Sequence, residues 1–484
     1  MMMGSTICRK TILLAACAQV AGAQGVRAQL TPCNIAGLSG DVRCGSVEVF
    51  ENRPARSGRK IQLSVSVTRA IDADRASDPL FLFAGGPGQA ASGMGDFANT
   101  AFSLVRKKRD LVFVDVRGTG KSAPLNCRFY RTASDFFGAF YPEASVRFCG
   151  DSLGARADLR QYTTPIIADD IDDVRAALGY DRINIYGTSY GSRLAFVYLR
   201  QHPEHVRAVV MKAIVPTNAH MPMGYAQDAE HALKLLSRDC AADAECATRY
   251  QDFESEFRTV VERAKQGKLR AAWPAQPVIA GIQLGDSVTL GADALTATIM
   301  GFMQSVGSRA SLPRAVHRAF LGDASELMQA ILFYRTSLDG GQIAIGMHLS
   351  VMCSEDTRWL DARKAAHENS TTFLGDARVR AQIAACRNWP QGDPGRDYDK
   401  PVRSNARVLL VSGELDPNTP ARWGEEALRT LPNARHVILP LVAHSFSSVA
   451  TCGAQFVADF IERASTRDLD LSCLSQIRLP PFAR

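Results

Sequence analysis

Short apolar runs indicate the strands of this chain. They lie at 80–83, 111–114, 183–186, 407–411 and 436–439. Runs of this length, without polar alternation, fit strands that are buried on both faces of a parallel sheet. A further segment, 60–67, alternates polar and apolar residues and predicts a half-buried strand.

Helical periodicity appears between two of these runs. Ile171, Val174 and Leu178 recur at the spacing of one helix face. The aspartates at 169–170 and 172–173 are expected in the first turn, where the helix macrodipole favours negative charge; a metal cluster is the alternative. The alternation of strands and helices predicts a mostly parallel sheet with helices on both faces.

From about 216 to 400 strand runs become rare and helical spacing dominates. The segments with that spacing are 229–236, 253–264, 295–303 and 315–333. We therefore expect an α/β core in two parts, with a largely helical cap inserted before the strand at 407–411. The predicted divisions are 1–28, 29–215 for the first part of the core, 216–400 for the cap and 401–484 for the second part of the core.

Composition narrows the class of protein. The chain has 484 residues, of which 46% are hydrophobic and 22% charged, and this balance excludes a disordered chain or a coiled coil. The net charge of +7 is spread along the chain without a nucleic-acid-binding motif, so we expect a solvated basic surface and no nucleic-acid partner. After the N-terminus no segment has 18 uninterrupted apolar residues, so we expect no membrane span.

The first 28 residues have the organisation of an export signal. Arg9 and Lys10 precede an apolar, alanine-rich stretch, and small residues at 21–23 or 26–28 offer alternative cleavage sites. We therefore expect an exported protein, periplasmic or extracellular. The residues around Cys17 also resemble a bacterial lipoprotein box, which makes a lipid anchor at Cys17 the alternative to a freely secreted form.

Cysteine usage agrees with export. Ten cysteines follow the predicted signal, and an even number in an oxidising compartment favours disulfides. Pairing of neighbours closes the shortest loops at the lowest entropic cost. The expected pairs are 33–44, 127–149, 240–246, 353–386 and 452–473. No C-x-x-C spacing occurs, so a zinc site is not expected.

Residues 187–191 carry the strongest chemical signal. They read Gly-Thr-Ser-Tyr-Gly, directly after the strand at 183–186 and before a helix that stops ahead of Pro203. A strand, G-x-S-x-G and a helix in this order form the nucleophile elbow of α/β-hydrolases. The glycines leave room for the tight turn, which lifts the serine hydroxyl clear of the sheet. Ser189 is the predicted nucleophile.

A serine hydroxyl needs a neighbouring base, and in this fold the chain order is serine, acid, histidine. Asp416 follows the strand at 407–411, and His444 follows the strand at 436–439. Both positions belong to the carboxyl edge of an α/β sheet, where such folds build their sites. We predict Asp416 as the acid and His444 as the base. Glu414 is the alternative acid, and His436 and His220 are the alternative histidines.

Stabilisation of a tetrahedral intermediate requires two N–H donors. One is expected from the amide of Tyr190, the residue after the nucleophile. The other is expected from residues 84–88, Ala-Gly-Gly-Pro-Gly, which follow the strand at 80–83. Pro87 has no N–H, so Gly86 is the predicted donor.

Four segments together resemble the exported branch of the proline iminopeptidase family, which contains the tripeptidyl aminopeptidases. Residues 85–88 resemble the H-G-G-P-G loop, 115–122 the D-Q-R-G-x-G-x-S block, 187–191 the G-G-S-Y-G elbow and 413–420 the G-x-x-D-x-x-T-P acid loop. The resemblance covers about 75–215 and 400–460. Ala84 and Val116 depart from the usual His and Gln of the first two motifs.

The resemblance implies an α/β-hydrolase fold with a helical cap. It also implies cleavage of residues or short peptides from free N-termini, with neither metal nor cofactor. Members that bind a free amine use cap carboxylates, and residues 352–356 resemble the C-x-E-D patch of exported members. Glu355 and Asp356 are therefore the candidate amine-binding residues. Arg117 is expected to fix its own loop by hydrogen bonds.

A serine aminopeptidase is the predicted function. A carboxylesterase or other acyl hydrolase with the same triad is the alternative, because small esters and peptides use the same groups. A non-catalytic binding protein on this scaffold is a third hypothesis, against which the intact order of serine, aspartate and histidine argues. The sequence does not indicate an oligomeric state.

Overall fold

The protein is described by a computed structural model, which covers residues 27–273, 286–446 and 450–484. Residues 1–26 of the predicted export signal, including the candidate lipid site Cys17, lie outside the described residues. Only positions 27 and 28 of the signal are described. Among the helices of the described ranges, none combines the length and apolar composition that crossing a bilayer requires.

A nine-stranded sheet forms the centre of the described structure. Its strands are β1 (Thr31–Pro32), β2 (Val42–Phe50), β3 (Lys60–Thr68), β4 (Leu80–Phe83), β5 (Leu111–Val114), β6 (Ile183–Thr188), β7 (Val206–Lys212), β10 (Arg407–Gly413) and β11 (Ala434–Leu439). The order across the sheet is β1-β2-β3-β5-β4-β6-β7-β10-β11. The six strands from β5 to β11 in that order are parallel, and β1, β2 and β3 extend the sheet with antiparallel pairs.

Five of the six parallel strands are largely buried on both faces, as their apolar sequences predict, whereas the edge strand β11 is partly exposed. Along β4, Phe81 and Phe83 belong to one hydrophobic core, whereas Leu80 and Leu82 belong to the other. Alternate side chains of a strand point to opposite faces, so a continuous apolar run fills both cores. One core includes α3 (Thr164–Leu178) and α4 (Tyr190–Gln201), and the other includes α15 (Ala450–Arg463).

The sequence analysis did not predict three strands of the sheet, β1, β2 and β7. β1 has only two residues, too few to carry a pattern. β2 consists mostly of half-buried and exposed residues, and it lies at the antiparallel end of the sheet between β3 and the two-residue β1. β7 follows the elbow helix after three residues of 3-10 helix, and its apolar run is interrupted by Arg207 and Lys212. The remaining predicted strands are present, with ends that differ by up to two residues.

Helices dominate between β7 and β10. They are α5 (Tyr225–Ala242), α6 (Ala244–Arg249), α7 (Phe253–Lys265), α8 (Ala292–Met303), α9 (Val306–Phe320), α10 (Ser325–Asp339), α11 (Ile345–Glu355), α12 (Ala362–Glu368) and α13 (Ala377–Cys386). The single helix predicted over 315–333 is two helices, which separate at Gly322, where φ is +107°. A short pair, β8 (Arg270–Ala272) and β9 (Ser287–Thr289), also lies in this region.

Three more α-helices lie in the described ranges: α1 (Ala133–Phe137), α2 (Glu143–Gly154) and α14 (Ala421–Leu428). The first two lie between β5 and α3, and the third connects β10 to β11.

The aspartates of α3 do not lie in its first turn, so that expectation was wrong. The helix begins at Thr164, with Pro165 in its first turn, which places Asp169 and its neighbours in the second and third turns. The negative charges are balanced by arginines instead, of which Arg175 lies on α3 itself and pairs with Asp172. Arg53 contacts Asp170 and Asp173 at 3.0 Å and 2.5 Å.

The five disulfides join the pairs that the sequence predicted. They are Cys33–Cys44, Cys127–Cys149, Cys240–Cys246, Cys353–Cys386 and Cys452–Cys473. Each ties elements that are close in sequence. Cys353–Cys386 links the end of α11 to the end of α13.

A fully buried arginine holds the loop after β5. Arg117 donates to both carboxylate oxygens of Asp170, at 2.6 Å and 2.8 Å. It also donates to the carbonyl oxygens of Phe50, Glu51 and Gln161. This one side chain connects β2, α3 and the loop it stands on, in line with the expectation that it fixes the loop.

Removal of this arginine should destabilise the fold strongly. Arg117→Met leaves the carboxylate of Asp170 buried beside only the partly exposed Arg53, and loss of one partner of a buried pair costs about 3–5 kcal/mol. Urea unfolding followed by tryptophan fluorescence measures the change. Arg160→Met, which removes an exposed arginine paired with Asp158, is the control and should have little effect. Equal effects of the two substitutions would contradict this account of the Arg117 contacts.

Candidate active site

A cavity of about 340 Å³ opens at the carboxyl edge of the sheet. Gly86 follows β4, Ser189 follows β6, Lys212 ends β7 and His444 follows β11, and all four residues line the cavity. Parallel strands present their carboxyl ends at one edge, which explains why residues so distant in sequence meet. The volume is in the range of small-molecule and cofactor sites.

Ser189 stands in the sharp turn between β6 and α4. Its backbone has φ 55° and ψ −123°, a conformation that costs free energy for any residue with a Cβ. A Cβ on Gly191 would collide with the carbonyl oxygen of Phe83, and a Cβ on Gly187 would collide with the carbonyl of Gly191. Both glycines of the G-x-S-x-G motif are therefore required by close backbone approach, as the sequence predicts.

Asp416 and His444 form a direct pair. The Nδ1 atom of His444 lies 2.8 Å from Oδ2 of Asp416, whose side chain is fully buried. Thr419 donates its hydroxyl to the same oxygen at 2.6 Å, and the amides of Asn418 and Thr419 donate to Oδ1. Because Nδ1 is engaged by the carboxylate, Nε2 is the histidine nitrogen available to a group in the cavity.

The contacts of Asp416 keep it ionised. Burial opposes the charged form, but the His444 imidazole and the hydrogen bonds from Thr419 outweigh burial and lower the pKa of Asp416. Thr419 is a site residue that sequence reasoning did not single out. Its position in the 413–420 acid loop was a signal that could have found it.

The two predicted amide donors belong to the loop after β4 and to the residue that follows Ser189. Gly86 lines the cavity and has φ +109°, where a Cβ would collide with the amide of Gly88. Tyr190 is the first residue of α4, and amides of a first helical turn lack intrahelical partners. Its side chain is buried and its hydroxyl lies 2.8 Å from Oγ1 of Thr164.

Glu355 and Asp356 lie outside the cavity lining. Glu355 accepts hydrogen bonds from the amide and hydroxyl of Thr164 and from the hydroxyl of Tyr398. Asp356 binds Arg193 at 2.7 Å and the amide of Met221. Both are about 1% exposed. The geometry argues against the amine-binding role expected for this patch, because these carboxylates already bind groups of the protein.

These buried carboxylates instead support the elbow helix. Arg193 lies one turn into α4, and Tyr190 reaches Glu355 through Thr164. Burial raises the pKa of Glu355 to about 7, against the opposing influence of Arg193 and of the hydrogen bonds from Tyr398 and Thr164.

The alternative triad candidates do not line the cavity. Glu414 is exposed and accepts from the amide of Leu441. His436 lies 2.9 Å from the hydroxyl of Ser412, and His220 stacks on Trp359.

Three basic side chains that the sequence did not single out line the cavity: Lys212, His348 and Arg378. The carbonyl of Lys212 accepts from the amide of Ser189 at 2.9 Å. Burial lowers the pKa of Lys212 to about 8, although Asp416 opposes the shift. Lys212 is the last residue of β7, the strand that pairs with β6 beside the elbow. The sequence analysis did not predict β7 and therefore did not single out Lys212.

One group in the described ranges has the composition of a metal site. Asp172, His202 and His205 offer ligand atoms within 4.8 Å of one another, away from the cavity. Oδ1 of Asp172 already receives hydrogen bonds from Arg175 and Tyr198 and lies 2.7 Å from His205. These contacts account for the cluster without an ion.

Two protein-family models match the chain. One, described as alpha/beta hydrolase fold, covers residues 78–252, and the other, described as TAP-like protein, covers residues 371–473. The first match confirms the predicted fold class.

Curated relatives cover most of the chain. The tripeptidyl aminopeptidase of Streptomyces coelicolor is 30% identical over 420 residues, which are 78% of this chain and 73% of the relative. The serine protease Hip1 of Mycobacterium tuberculosis is 25% identical and spans 88% of this chain and 90% of its own. Among solved structures, the proline iminopeptidase of Mycobacterium smegmatis aligns with a TM-score of 0.41 at 15% identity, over 86% of this chain and 98% of the other.

The raised pKa of Glu355 predicts a pH dependence of stability. Between pH 4.5 and 7 the folded state holds a proton on Glu355 that the unfolded state has lost, so the contribution of this group falls as pH rises. Glutamine cannot ionise. The free energy of unfolding of the wild type relative to Glu355→Gln should therefore fall by up to about 3 kcal/mol from pH 5 to pH 8.

Urea unfolding at several pH values measures this difference. Glu143→Gln, at an exposed glutamate of α2, is the control and should track the wild type. A constant gap between the wild type and Glu355→Gln across this range would contradict the burial cost assigned to Glu355.

Proposed function

This chain belongs to the α/β-hydrolase family that contains the tripeptidyl aminopeptidases, and from that membership we propose that it is a serine aminopeptidase. It releases residues or short peptides from the N-termini of peptides. The family membership confirms the resemblance that the four sequence motifs indicate. The observation that carries the proposal is the pairing of His444 with a buried Asp416 in the cavity that Ser189 lines.

In the proposed reaction, the Ser189 hydroxyl attacks the carbonyl carbon of the scissile amide. Nε2 of His444 takes the hydroxyl proton and then delivers it to the leaving amine, which leaves an acyl-enzyme on Ser189. Water then attacks the acyl-enzyme by the same route and restores the serine. Asp416 holds Nδ1 of the imidazole and stabilises the imidazolium that forms in each half-reaction.

The amides of Gly86 and Tyr190 are the proposed oxyanion donors. The Tyr190 amide lies at the N-terminus of α4, where the helix dipole favours the negative charge of the intermediate. The positive φ of Gly86 turns the loop after β4 toward the same cavity.

We assign the cap to 216–400, between the core segments 29–215 and 401–484. Helices of this region supply Tyr225, Ala297, Met300 and Tyr334 to the cavity lining. They line the same cavity as Ser189 and His444, so they limit which acyl groups fit.

Export through an N-terminal signal over 1–28 completes the proposal. The five disulfides fit a protein that folds in an oxidising compartment. The compartment is the periplasm or the medium, with a lipid anchor at Cys17 as the alternative form.

A carboxylesterase or other acyl hydrolase with the same triad is the second candidate. Its supporting observation is that no aspartate or glutamate of the described residues lines the cavity, so no carboxylate faces a substrate ammonium there. The same Ser189, Asp416 and His444 serve both reactions.

Substitutions in the triad test the assigned roles. Ser189→Ala should lose nearly all activity and all labelling by a fluorophosphonate probe, because the attacking oxygen is gone. Asp416→Asn should lower kcat by about 10⁴-fold, since the amide no longer fixes the imidazole. Glu414→Gln, at the neighbouring acid, is the control and should retain activity. Unchanged turnover by Ser189→Ala would refute the assignment of the nucleophile.

A substrate panel separates the two candidate functions. Aminoacyl and tripeptidyl arylamides are compared with short acyl esters, each with free and blocked amino groups. An aminopeptidase should lose activity when the amine is blocked, whereas hydrolysis of esters alone, regardless of the amine, would favour the acyl hydrolase. The ratio of kcat/KM values for free and blocked forms is the measurement.

A further inference from the structure

The charged side chains on the cavity lining are all basic. They are Lys212 and Arg378, accompanied by His348 and His444. Segments 1–26, 274–285 and 447–449 contain no aspartate or glutamate, so every acidic residue of the chain lies in the described part. None of them lines the cavity.

The two cations differ in their surroundings. Burial lowers the pKa of Lys212, and the negative charge of Asp416 opposes this shift. The Lys212 ammonium lies 4.2 Å from the ring centre of Phe446. Arg378 lies within 4.0 Å of no carboxylate, whereas Arg380, on the same helix, is paired with Asp376 at 2.9 Å. Among the described residues, Nη1 of Arg378 is buried without a hydrogen-bond partner.

Aromatic rings hold the Arg378 guanidinium in place. Its central carbon lies 3.4 Å from the ring centre of Phe140 and 5.6 Å from that of Tyr141. Stacking of this kind fixes the plane of a guanidinium and leaves its N–H groups directed past the ring edges. The hydroxyl of Tyr141 in turn lies 2.8 Å from Nε2 of His348.

The neighbouring histidine adds no charge at neutral pH. Burial lowers the pKa of His348 to about 4, assisted by the charge of Arg378 and opposed by the carbonyl of Pro87. This part of the cavity therefore has one permanent positive charge and no counterion from the protein.

We propose that Arg378 determines specificity by binding a carboxylate in the acyl part of the substrate. A buried N–H without a partner is costly, and an ionised acceptor satisfies it with a hydrogen bond stronger than a neutral one. The guanidinium also offers a planar pair of donors that fits a carboxylate.

The carboxylate belongs to the acyl part because of the size of the cavity. A volume of about 340 Å³ takes a few residues, whereas the leaving part of a peptide has no fixed length and must extend out of the site. The substrate class is therefore short N-terminal segments with an aspartate or glutamate side chain, or an acidic acyl group. This inference rests on the proposed serine hydrolase function, which it makes more specific.

Arylamides that differ only in charge test this inference. Tripeptidyl p-nitroanilides carry glutamate at one of the three positions, and each has a glutamine counterpart of nearly equal size. At the favoured position the wild type should cleave the glutamate form with a kcat/KM about tenfold or more higher. In Arg378→Met this ratio should fall to about one while the glutamine substrates are still cleaved.

Two further variants guard against indirect effects. Arg380→Met, on the same helix but at an exposed ion pair, should keep the wild-type ratio. Arg378→Lys keeps the charge without the planar fork and should retain part of the preference, which covers the case that Arg378→Met does not fold. Circular dichroism melting establishes that the compared variants are folded.

A binding measurement separates failure of this inference from failure of the proposed function. Tripeptide amides with glutamate or glutamine compete against fluorophosphonate labelling of Ser189, which needs no turnover of a peptide. Stronger protection by the glutamate peptides in the wild type, lost in Arg378→Met, supports the carboxylate site even if no arylamide is cleaved. Equal treatment of glutamate and glutamine at every position, or a preference unchanged in Arg378→Met, overturns it.

Discussion

The turn at Ser189 is the constraint around which the rest of the site is arranged. The backbone reverses within one residue, in a region of φ and ψ that residues with a side chain seldom adopt. Strain of this kind persists only where the surroundings leave the chain no alternative. Here β6 is hydrogen-bonded between β4 and β7, and α4 packs on the core beneath it. Arg193 ties the first turn of α4 to Asp356 at the end of α11, which restrains the helix that follows the turn.

Charge is distributed unevenly between this support and the cavity. The buried carboxylates Asp170, Glu355 and Asp356 each bind groups of the protein, and they stabilise the loops and helix that frame the site. Asp416 serves the histidine. These four buried carboxylates are therefore engaged by groups of the protein, and the charged side chains that line the cavity are basic. The hydrogen bonds from Thr164 occupy the Glu355 carboxylate, and through Thr164 they connect it to Tyr190 at the start of α4.

Sequence reasoning succeeded where a short segment determines its own geometry. The apolar strands, the elbow at 187–191 and the order of Asp416 and His444 depend on local pattern and on the rule that sites form at the carboxyl edge of a sheet. It failed for Glu355, because nothing near that residue indicates that Thr164 and Tyr398 will surround it. Arg378 was missed for the same reason, since its aromatic neighbours lie more than 200 residues earlier in the chain. The residues that contact a buried polar group in the folded protein cannot be predicted from its neighbours in the sequence.

The disulfide between Cys353 and Cys386 has a consequence for how active protein is obtained. It fastens α13 to α11, and these two helices carry Arg378 and His348 to the cavity. The elbow at Ser189, by contrast, is held by backbone pairing and by ion pairs that need no oxidation. Protein made in a reducing cytosol would therefore lack the link between α11 and α13, while the backbone pairing at the elbow would remain. Preparations compared for substrate choice therefore need matching redox histories.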